Sequence, residues 1–125
     1  MEPSGKAKRS EVTIQRIVRD TAVSRRVKEW HKYACQVCGT ALSCVAGLYA
    51  EGAHIRPLGR PHNGPDTEEN LLCLCPNHHV LLDAGGFTIN DDYSLNGLDG
   101  RLTNISKHTV SLEHLRYHRS LWRGS

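Results

Sequence analysis

Two pairs of potential metal ligands stand about forty residues apart in this chain, as CQVC at residues 35–38 and CPNH at residues 75–78. Cysteine thiolates and histidine nitrogens are zinc ligands, and two such pairs joined by a longer connection can close a tetrahedral structural site. The spacing therefore predicts one structural Zn²⁺ ion, on Cys35, Cys38, Cys75 and His78. The alternative is a pair of buried cysteines with an unrelated surface histidine.

The same stretch resembles a known family. The run from Tyr33 to Asp83 reads YACQVCG and, later, AHIRPLGRPHNGPDTEENLLCLCPNHHVLLD. It resembles HNH endonucleases, which have a ββα-metal fold, and it is most similar to the HNH domains that accompany SRA modified-base-reading domains in modification-dependent restriction enzymes. The basic helix before it and the YHR run at residues 117–119 also resemble that subfamily.

The resemblance implies a DNA endonuclease in which three residues outside the zinc pairs do the chemistry. His54 would be the general base for the attacking water, a role that suits a histidine with a near-neutral pKa. His79 would hold a catalytic divalent ion, Mg²⁺ or another divalent transition metal, to stabilise the pentavalent phosphate and the leaving 3′-oxygen. Asn70 would hydrogen-bond the loop backbone and so orient the base. The implied products carry 5′-phosphate and 3′-hydroxyl ends.

One position departs from the family pattern, because many HNH proteins have a metal-binding Asp or His immediately before the base and this chain has Ala53. Asp83 lies four residues after His79 and hence on the same helical face, so we expect it to be a second ligand of the catalytic ion. The alternative is a solvated surface acid. Glu51 or water could also substitute, but an ideal strand places Glu51 and His54 on opposite faces unless a bulge occurs at Gly52.

Composition indicates one domain with a lean core. The chain has 125 residues, 38% of them hydrophobic, with a single Phe and a single Met, so a metal ion would help to organise it. It has no apolar run of membrane-spanning length and no signal-peptide core, which predicts a cytoplasmic, nucleoid-associated protein. Five cysteines with metal-type spacing favour a reducing compartment. Cys44 and Cys73, which the zinc site does not use, are expected to be free and buried.

Positive charge is concentrated before the first ligand pair. Residues 1–34 hold nine Lys and Arg against four Asp and Glu, whereas residues 35–82 hold two against four. One interpretation is a phosphate-contacting segment, and the other is a solvated helix face. Two arginines of the loop after His54 could also clamp phosphates. The candidate DNA-binding residues are Arg19, Arg25, Arg26, Lys28, Arg56 and Arg60.

The elements that would position these residues give an α+β fold. It is a small zinc-stapled ββα-metal core with an N-terminal helical segment and a C-terminal hairpin and helix. Residues 1–10 are predicted to be a disordered tail, and residues 11–125 the endonuclease domain. The expected N-terminal element is a helical segment from Glu11 that either breaks near Asp20 and Thr21 or is packed on two sides. Strands are expected over 48–55 and 70–75, a helix from Pro76 to about Ala84 and a hairpin over 87–102. A last helix is expected over 110–122, with Leu112, Leu115 and one of Leu121 and Trp122 inward.

The sequence thus favours a metal-dependent endonuclease acting on double-stranded DNA. It would be the cleavage domain of, or a partner to, a modification-dependent restriction system. Its target choice would come from a separate SRA-like domain, and a homodimer is possible. The rival interpretation is a zinc-organised DNA-binding module without catalysis. Ala53 supports that rival, whereas a binding module has no need for the set of His54, Asn70 and His79.

Overall fold

The core that carries the candidate residues is one antiparallel strand pair with a helix packed on each face. The computed structural model describes residues 18–122. Within them the elements are α1 (Ala22–Trp30), β1 (Leu42–Cys44), β2 (Gly47–Tyr49), β3 (Glu51–His54), a 3-10 turn (Glu68–Asn70), β4 (Leu71–Leu74), α2 (Pro76–Asp83), β5 (Thr88–Ile89), β6 (Leu95–Asn96) and α3 (Leu112–Leu121).

Strands β3 and β4 are paired in a regular register, with Glu51 opposite Leu74 and His54 opposite Leu71. Successive side chains of a strand point to opposite faces, so this pair separates two apolar clusters. Leu71 and Cys73 pack with Val27 of α1 on one face. The other face belongs to the larger cluster, which includes Ala53, Ile55, Leu72, Leu74, Leu82, Phe87, Leu102, Val110 and Leu115.

Helix α1 begins after Thr21, whose side-chain oxygen accepts a hydrogen bond from the Ser24 backbone N–H at 3.1 Å. Of the two alternatives for the N-terminal segment, the break near Asp20 and Thr21 is therefore confirmed. Thr21 satisfies one of the unpaired N–H groups of the first turn, as N-cap residues do. The predicted tail at 1–10 and the predicted helix start at Glu11 lie outside the described residues.

Helix α2 starts where Pro76 occupies the first helical position, which needs no backbone donor. It ends at Asp83, one residue earlier than predicted, and Gly86 then donates its N–H to the Leu81 carbonyl at 2.7 Å. Gly85 adopts a φ of 77°, and a Cβ there would lie 2.4 Å from the Trp122 ring. Only glycine can close the helix at this position.

The predicted strand over 48–55 is wrong in its extent, because the chain divides at Ala50 into two strands of different sheets. Strand β2 pairs with β1 in a hairpin that is exposed on both faces, and β3 pairs with β4. Cys44 lies in that hairpin and is exposed, so the prediction that it is buried is wrong. Cys73 is fully buried, as predicted.

The C-terminal part covers the larger cluster. The predicted hairpin over 87–102 is present as the short pair β5 and β6, extended by a bridge between Ser94 and Arg101. Helix α3 buries Leu115 and half-buries Leu112, as its spacing predicts. Within residues 18–122, no helix has both the length and the apolar character needed to span a bilayer.

Candidate functional site

The four predicted zinc ligands form one cluster. Their ligand atoms all lie within 4.8 Å of one another. His78 Nδ1 is 3.8 Å from Cys35 Sγ and 3.3 Å from Cys75 Sγ, and Cys38 Sγ is 3.9 Å from Cys75 Sγ. A tetrahedral Zn²⁺ with Zn–S bonds of about 2.3 Å separates its sulfur ligands by about 3.8 Å. The cluster is therefore suited to zinc, in both donor type and spacing.

A tight turn presents the first two ligands. Gly39 donates its N–H to the Cys35 carbonyl at 2.8 Å and has a φ of 78°, which curls CQVC around the site. Burial raises the pKa of the Cys35 thiol to about 11. A thiolate at this buried position is therefore costly without a cation, and a bound zinc ion would supply the compensating charge.

Hydrogen bonds of Gln36 join this turn to the rest of the fold. This role was not predicted from the sequence. The Gln36 backbone N–H donates to the Cys73 carbonyl at 2.8 Å, and its side-chain Oε1 accepts from the Cys73 N–H at 2.9 Å. Its Nε2 donates to the Thr103 carbonyl at 2.9 Å. The first ligand pair is thereby joined to β4, which leads directly into the second pair.

His79 follows the zinc ligand His78 on α2 but faces a different site. Its Nδ1 lies 2.8 Å from Oε1 of Glu51, and its Nε2 lies 3.3 Å from Oδ2 of Asp83. The other Glu51 oxygen accepts a hydrogen bond from the Tyr49 hydroxyl at 2.7 Å. The side chains of His79 and Glu51 are each only 3% exposed, whereas that of Asp83 is 25% exposed.

These contacts fix which nitrogen of His79 is available to a ligand. With Nδ1–H donating to the buried Glu51 carboxylate, Nε2 is the nitrogen beside Asp83 that would exchange its proton for a cation. Burial alone lowers the pKa of His79, but Asp83 and Glu51 outweigh it and raise this pKa above the ordinary value. An imidazole nitrogen and a carboxylate oxygen side by side form a donor pair that fits a divalent cation.

The outcome for Glu51 matches the ideal-strand alternative, in which Glu51 and His54 lie on opposite faces of β3. Strand β3 is paired residue by residue with β4 through Gly52, so it has no bulge there that would bring Glu51 beside His54. Glu51 instead reaches α2 and holds the ring of His79. This role could not be predicted from the sequence, because an acid three residues before one histidine gives no local sign of a partner 28 residues away.

His54 lies at the end of β3 and has a carboxylate partner. Its Nε2 is 2.8 Å from Oδ1 of Asp66, and its side chain is 10% exposed. The Thr21 hydroxyl, at the start of α1, donates to the same Asp66 oxygen at 3.5 Å. Asp66 was not among the predicted site residues, and the only hint of it was a carboxylate in the long polar loop after His54.

Asn70 is fully buried and holds that loop by three hydrogen bonds. Its Oδ1 accepts from the Arg56 N–H at 2.8 Å. Its Nδ2 donates to the carbonyls of Arg56 at 2.9 Å and Pro65 at 2.8 Å. These bonds fix the backbone on both sides of the loop, next to His54 and next to Asp66.

His54, His79 and Asp83 line one cleft of about 440 Å³, separate from the zinc cluster. Arg19 and His62 also contribute to its walls. Helix α3 closes the cleft with His118, whose Nε2 donates to the Leu82 carbonyl at 2.8 Å. The cleft therefore brings together His54 with its carboxylate partner, the donor pair of His79 and Asp83, and the guanidinium of Arg19. These groups suit a phosphate substrate.

The predicted DNA-binding cations differ in their acidic partners. Arg25 pairs with Asp20 at 3.4 Å, and Arg26 is bonded to Glu68. The side chain of Lys28 is only 12% exposed and lies 3.8 Å from Asp20. Each of these three cations is therefore paired with an acid in this structure. Arg19 and the two loop arginines, Arg56 and Arg60, have no carboxylate partner among residues 18–122.

Comparison with known proteins gives two matches. The model of the HNH endonuclease family matches residues 35–90. Among solved structures, the chain is similar to one described as "Modification dependent TagI restriction endonuclease", with 44% sequence identity and a TM-score of 0.80. That match covers 98% of this chain but 45% of the other, so the chain spans less than half the length of this relative. The comparison with curated proteins gave no match.

Proposed function

Since this chain belongs to the HNH endonuclease family, we propose that it hydrolyses phosphodiester bonds of double-stranded DNA with the help of a divalent cation on His79 and Asp83. Zinc on the four-ligand cluster would be structural. The observation that carries the proposal is the shared cleft, in which His54 faces the same space as the pair of His79 and Asp83 while the zinc ligands lie outside it.

Each side chain has a distinct task in this mechanism. His54 keeps its Nε2–H on Asp66, so Nδ1 is the atom that takes the proton of the attacking water. A cation bound by His79 and Asp83 supplies charge stabilisation for the phosphate and the leaving 3′-oxygen. Glu51 keeps Nδ1 of His79 protonated, so Nε2, beside Asp83, is the nitrogen that would bind that cation. The products would carry 5′-phosphate and 3′-hydroxyl ends.

The biological setting is also part of the proposal. The solved relative is described as a modification-dependent restriction endonuclease and is more than twice as long as this chain. We infer that this chain is the cleavage domain of, or a partner to, a restriction system of that kind. Recognition of the modified base would then reside in a separate SRA-like domain, and the chain alone would cut DNA with little sequence preference.

A non-catalytic DNA-binding module is the second candidate, because Ala53 removes one ligand that many family members have. The contacts of His79 weigh against it. A binding module has no use for a buried glutamate that fixes one nitrogen of a histidine and leaves the other beside a second carboxylate.

Cleavage of supercoiled plasmid by the zinc-loaded protein distinguishes the two candidates. We expect nicked and linear products with Mg²⁺, Mn²⁺, Co²⁺ or Ni²⁺, and none with a chelator that spares the structural zinc.

His54→Ala should abolish cleavage while zinc content and DNA binding persist. His79→Ala should also abolish it, with partial rescue by a higher metal concentration. His114→Ala, on α3 outside the cleft, is the matched control. A wild-type protein as inert as His54→Ala with all four metals would favour the binding module.

A further inference from the structure

Arg56 has no acidic partner among residues 18–122, but two other contacts hold its side chain. The guanidinium carbon lies 4.2 Å from the centre of the Tyr117 ring, within the range of a cation–π contact. Its Nε donates to the His62 carbonyl at 2.7 Å. By contrast, Arg25, Arg26, Arg116 and Arg119 are each paired with a carboxylate.

The backbone of Arg56 is fixed as well, since Asn70 bonds both its N–H and its carbonyl. Both ends of this side chain are thus positioned before any ligand arrives. Its two terminal nitrogens have no protein partner among the described residues. A planar guanidinium with two unpaired donor nitrogens matches two oxygens of one phosphate, and prior positioning lowers the entropy lost on binding.

Tyr117 also positions His62, which offers a second hydrogen-bond donor beside Arg56. Its hydroxyl lies 2.8 Å from Nδ1 of His62, and the two rings meet edge to face with their centres 5.8 Å apart. With the hydroxyl donating to Nδ1, the proton of the neutral imidazole lies on Nε2. His62 also lines the catalytic cleft, so this group adjoins the cleft directly.

We propose that Arg56 and His62, both held by Tyr117, form a binding site for a DNA backbone phosphate that flanks the scissile one. Arg56 lies two residues beyond His54, which at the rise of an extended chain is about 7 Å. Arg56 is therefore placed to bind the phosphate next to the scissile one, and not the scissile phosphate that His54 faces. This inference rests on the proposed function, because it takes duplex DNA as the ligand.

The test measures binding rather than cleavage. In a His54→Ala background, which prevents hydrolysis, the full chain is titrated with duplexes that carry one uncharged methylphosphonate at successive positions of each strand. Arg56→Ala should weaken binding of the unmodified duplex about tenfold or more, since it removes charge-assisted hydrogen bonds. At one position near the cleavage point, the methylphosphonate should weaken duplex binding by the parent as much as Arg56→Ala does. The same modification should leave duplex binding by the Arg56→Ala protein unchanged.

Further variants separate the two contacts. Tyr117→Phe keeps the ring under Arg56 but frees His62, so it should lose less affinity than Tyr117→Leu. Arg56→Lys should recover only part of the affinity, because an ammonium cannot bind in bidentate fashion. Arg116→Ala, which removes an exposed arginine paired with Asp91, is the control and should bind like the parent. Zinc content and thermal midpoint should match in all of them.

The outcomes for the site and for the nuclease are separable. If every methylphosphonate weakens the parent and Arg56→Ala equally, or if neither protein binds duplex DNA, the flanking-phosphate site is wrong. Plasmid cleavage by the protein with His54 intact judges the nuclease independently. A chain that binds with the predicted pattern but cuts nothing would keep the site and overturn the proposed catalysis.

Discussion

Nε2 of His54 and Oδ1 of Asp66 lie 2.8 Å apart, although the two residues are 12 positions apart in sequence. His54 ends β3, and Asp66 lies four residues before Asn70, which fastens the same loop. The carboxylate accepts the Nε2–H, so it fixes both the ring orientation and the nitrogen that remains basic. In the proposed reaction Asp66 is a positioning residue for the base.

Replacing Asp66 should therefore slow the chemical step without loss of DNA affinity. We expect Asp66→Ala to lower the single-turnover rate by about tenfold to a hundredfold, less than the roughly 10²–10⁴-fold worth of the base itself. Asp66→Asn should be milder, because its amide oxygen can still accept from Nε2. Glu113→Gln, an exposed change on α3, is the control. A rate unchanged in Asp66→Ala would show that His54 needs no such partner.

Glu51 should control affinity for the catalytic ion through His79. Glu51→Gln keeps an acceptor for Nδ1–H but removes the buried charge, and changes of this kind cost about 10–100-fold in metal affinity. Calorimetric titration of zinc-loaded protein with Mn²⁺, without DNA, measures this directly. Asp83→Ala should weaken the same binding. Equal Mn²⁺ affinity in wild type and Glu51→Gln would remove Glu51 from the site.

Features set by short spacing could be predicted from the sequence. The zinc cluster follows from two pairs of ligands that each lie within one turn, and the start of α2 follows from Pro76. The exposure of Cys44 could not be predicted in this way. Whether a small residue is buried depends on which sheet its strand joins, and the division of the chain at Ala50 placed Cys44 in an exposed hairpin.

The partners of charged residues were also hidden from the sequence. Arg26 meets Glu68 across 42 residues, and Glu51 meets His79 across 28. Such pairs depend on how β3, the loop and the helices pack, not on local periodicity. The sequence shows the excess of positive charge before Cys35 but not that Arg25, Arg26 and Lys28 each have an acidic partner.

Zinc should be required for folding, with about one tightly held ion per chain. The double substitution Cys35→Ala with Cys38→Ala should lose the ion and the cooperative thermal transition, since it removes half of the ligands. Cys44→Ala, at an exposed cysteine outside the cluster, is the matched control and should retain both. Metal analysis and thermal unfolding give the two readouts. Full zinc content in the double variant would overturn the assignment.

A buried histidine pair should make the fold acid-sensitive. His31 is the residue after α1, and its Nε2 lies 2.8 Å from Nδ1 of His108. Nε2 of His108 donates to the Glu68 carbonyl at 2.7 Å. Burial, and then the neighbouring His108, lower the pKa of His31 to about 4 from its ordinary 6.5. Burial lowers the pKa of His108 as well. Both rings are therefore neutral in the folded protein near pH 7.

The sign of the pH effect follows from proton uptake. Below pH 6.5 the unfolded chain protonates His31 while the folded chain does not, so stability falls with pH until the folded pKa is reached. The loss attributable to His31 approaches about 3 kcal/mol near pH 4, at about 1.4 kcal/mol for each unit of pKa. Zinc ligands also protonate in this range, so the informative quantity is the difference between wild type and His31→Gln. Urea unfolding from pH 7.5 to pH 4 should show wild type losing about 3 kcal/mol relative to His31→Gln, and parallel stability curves would refute the neutral buried pair.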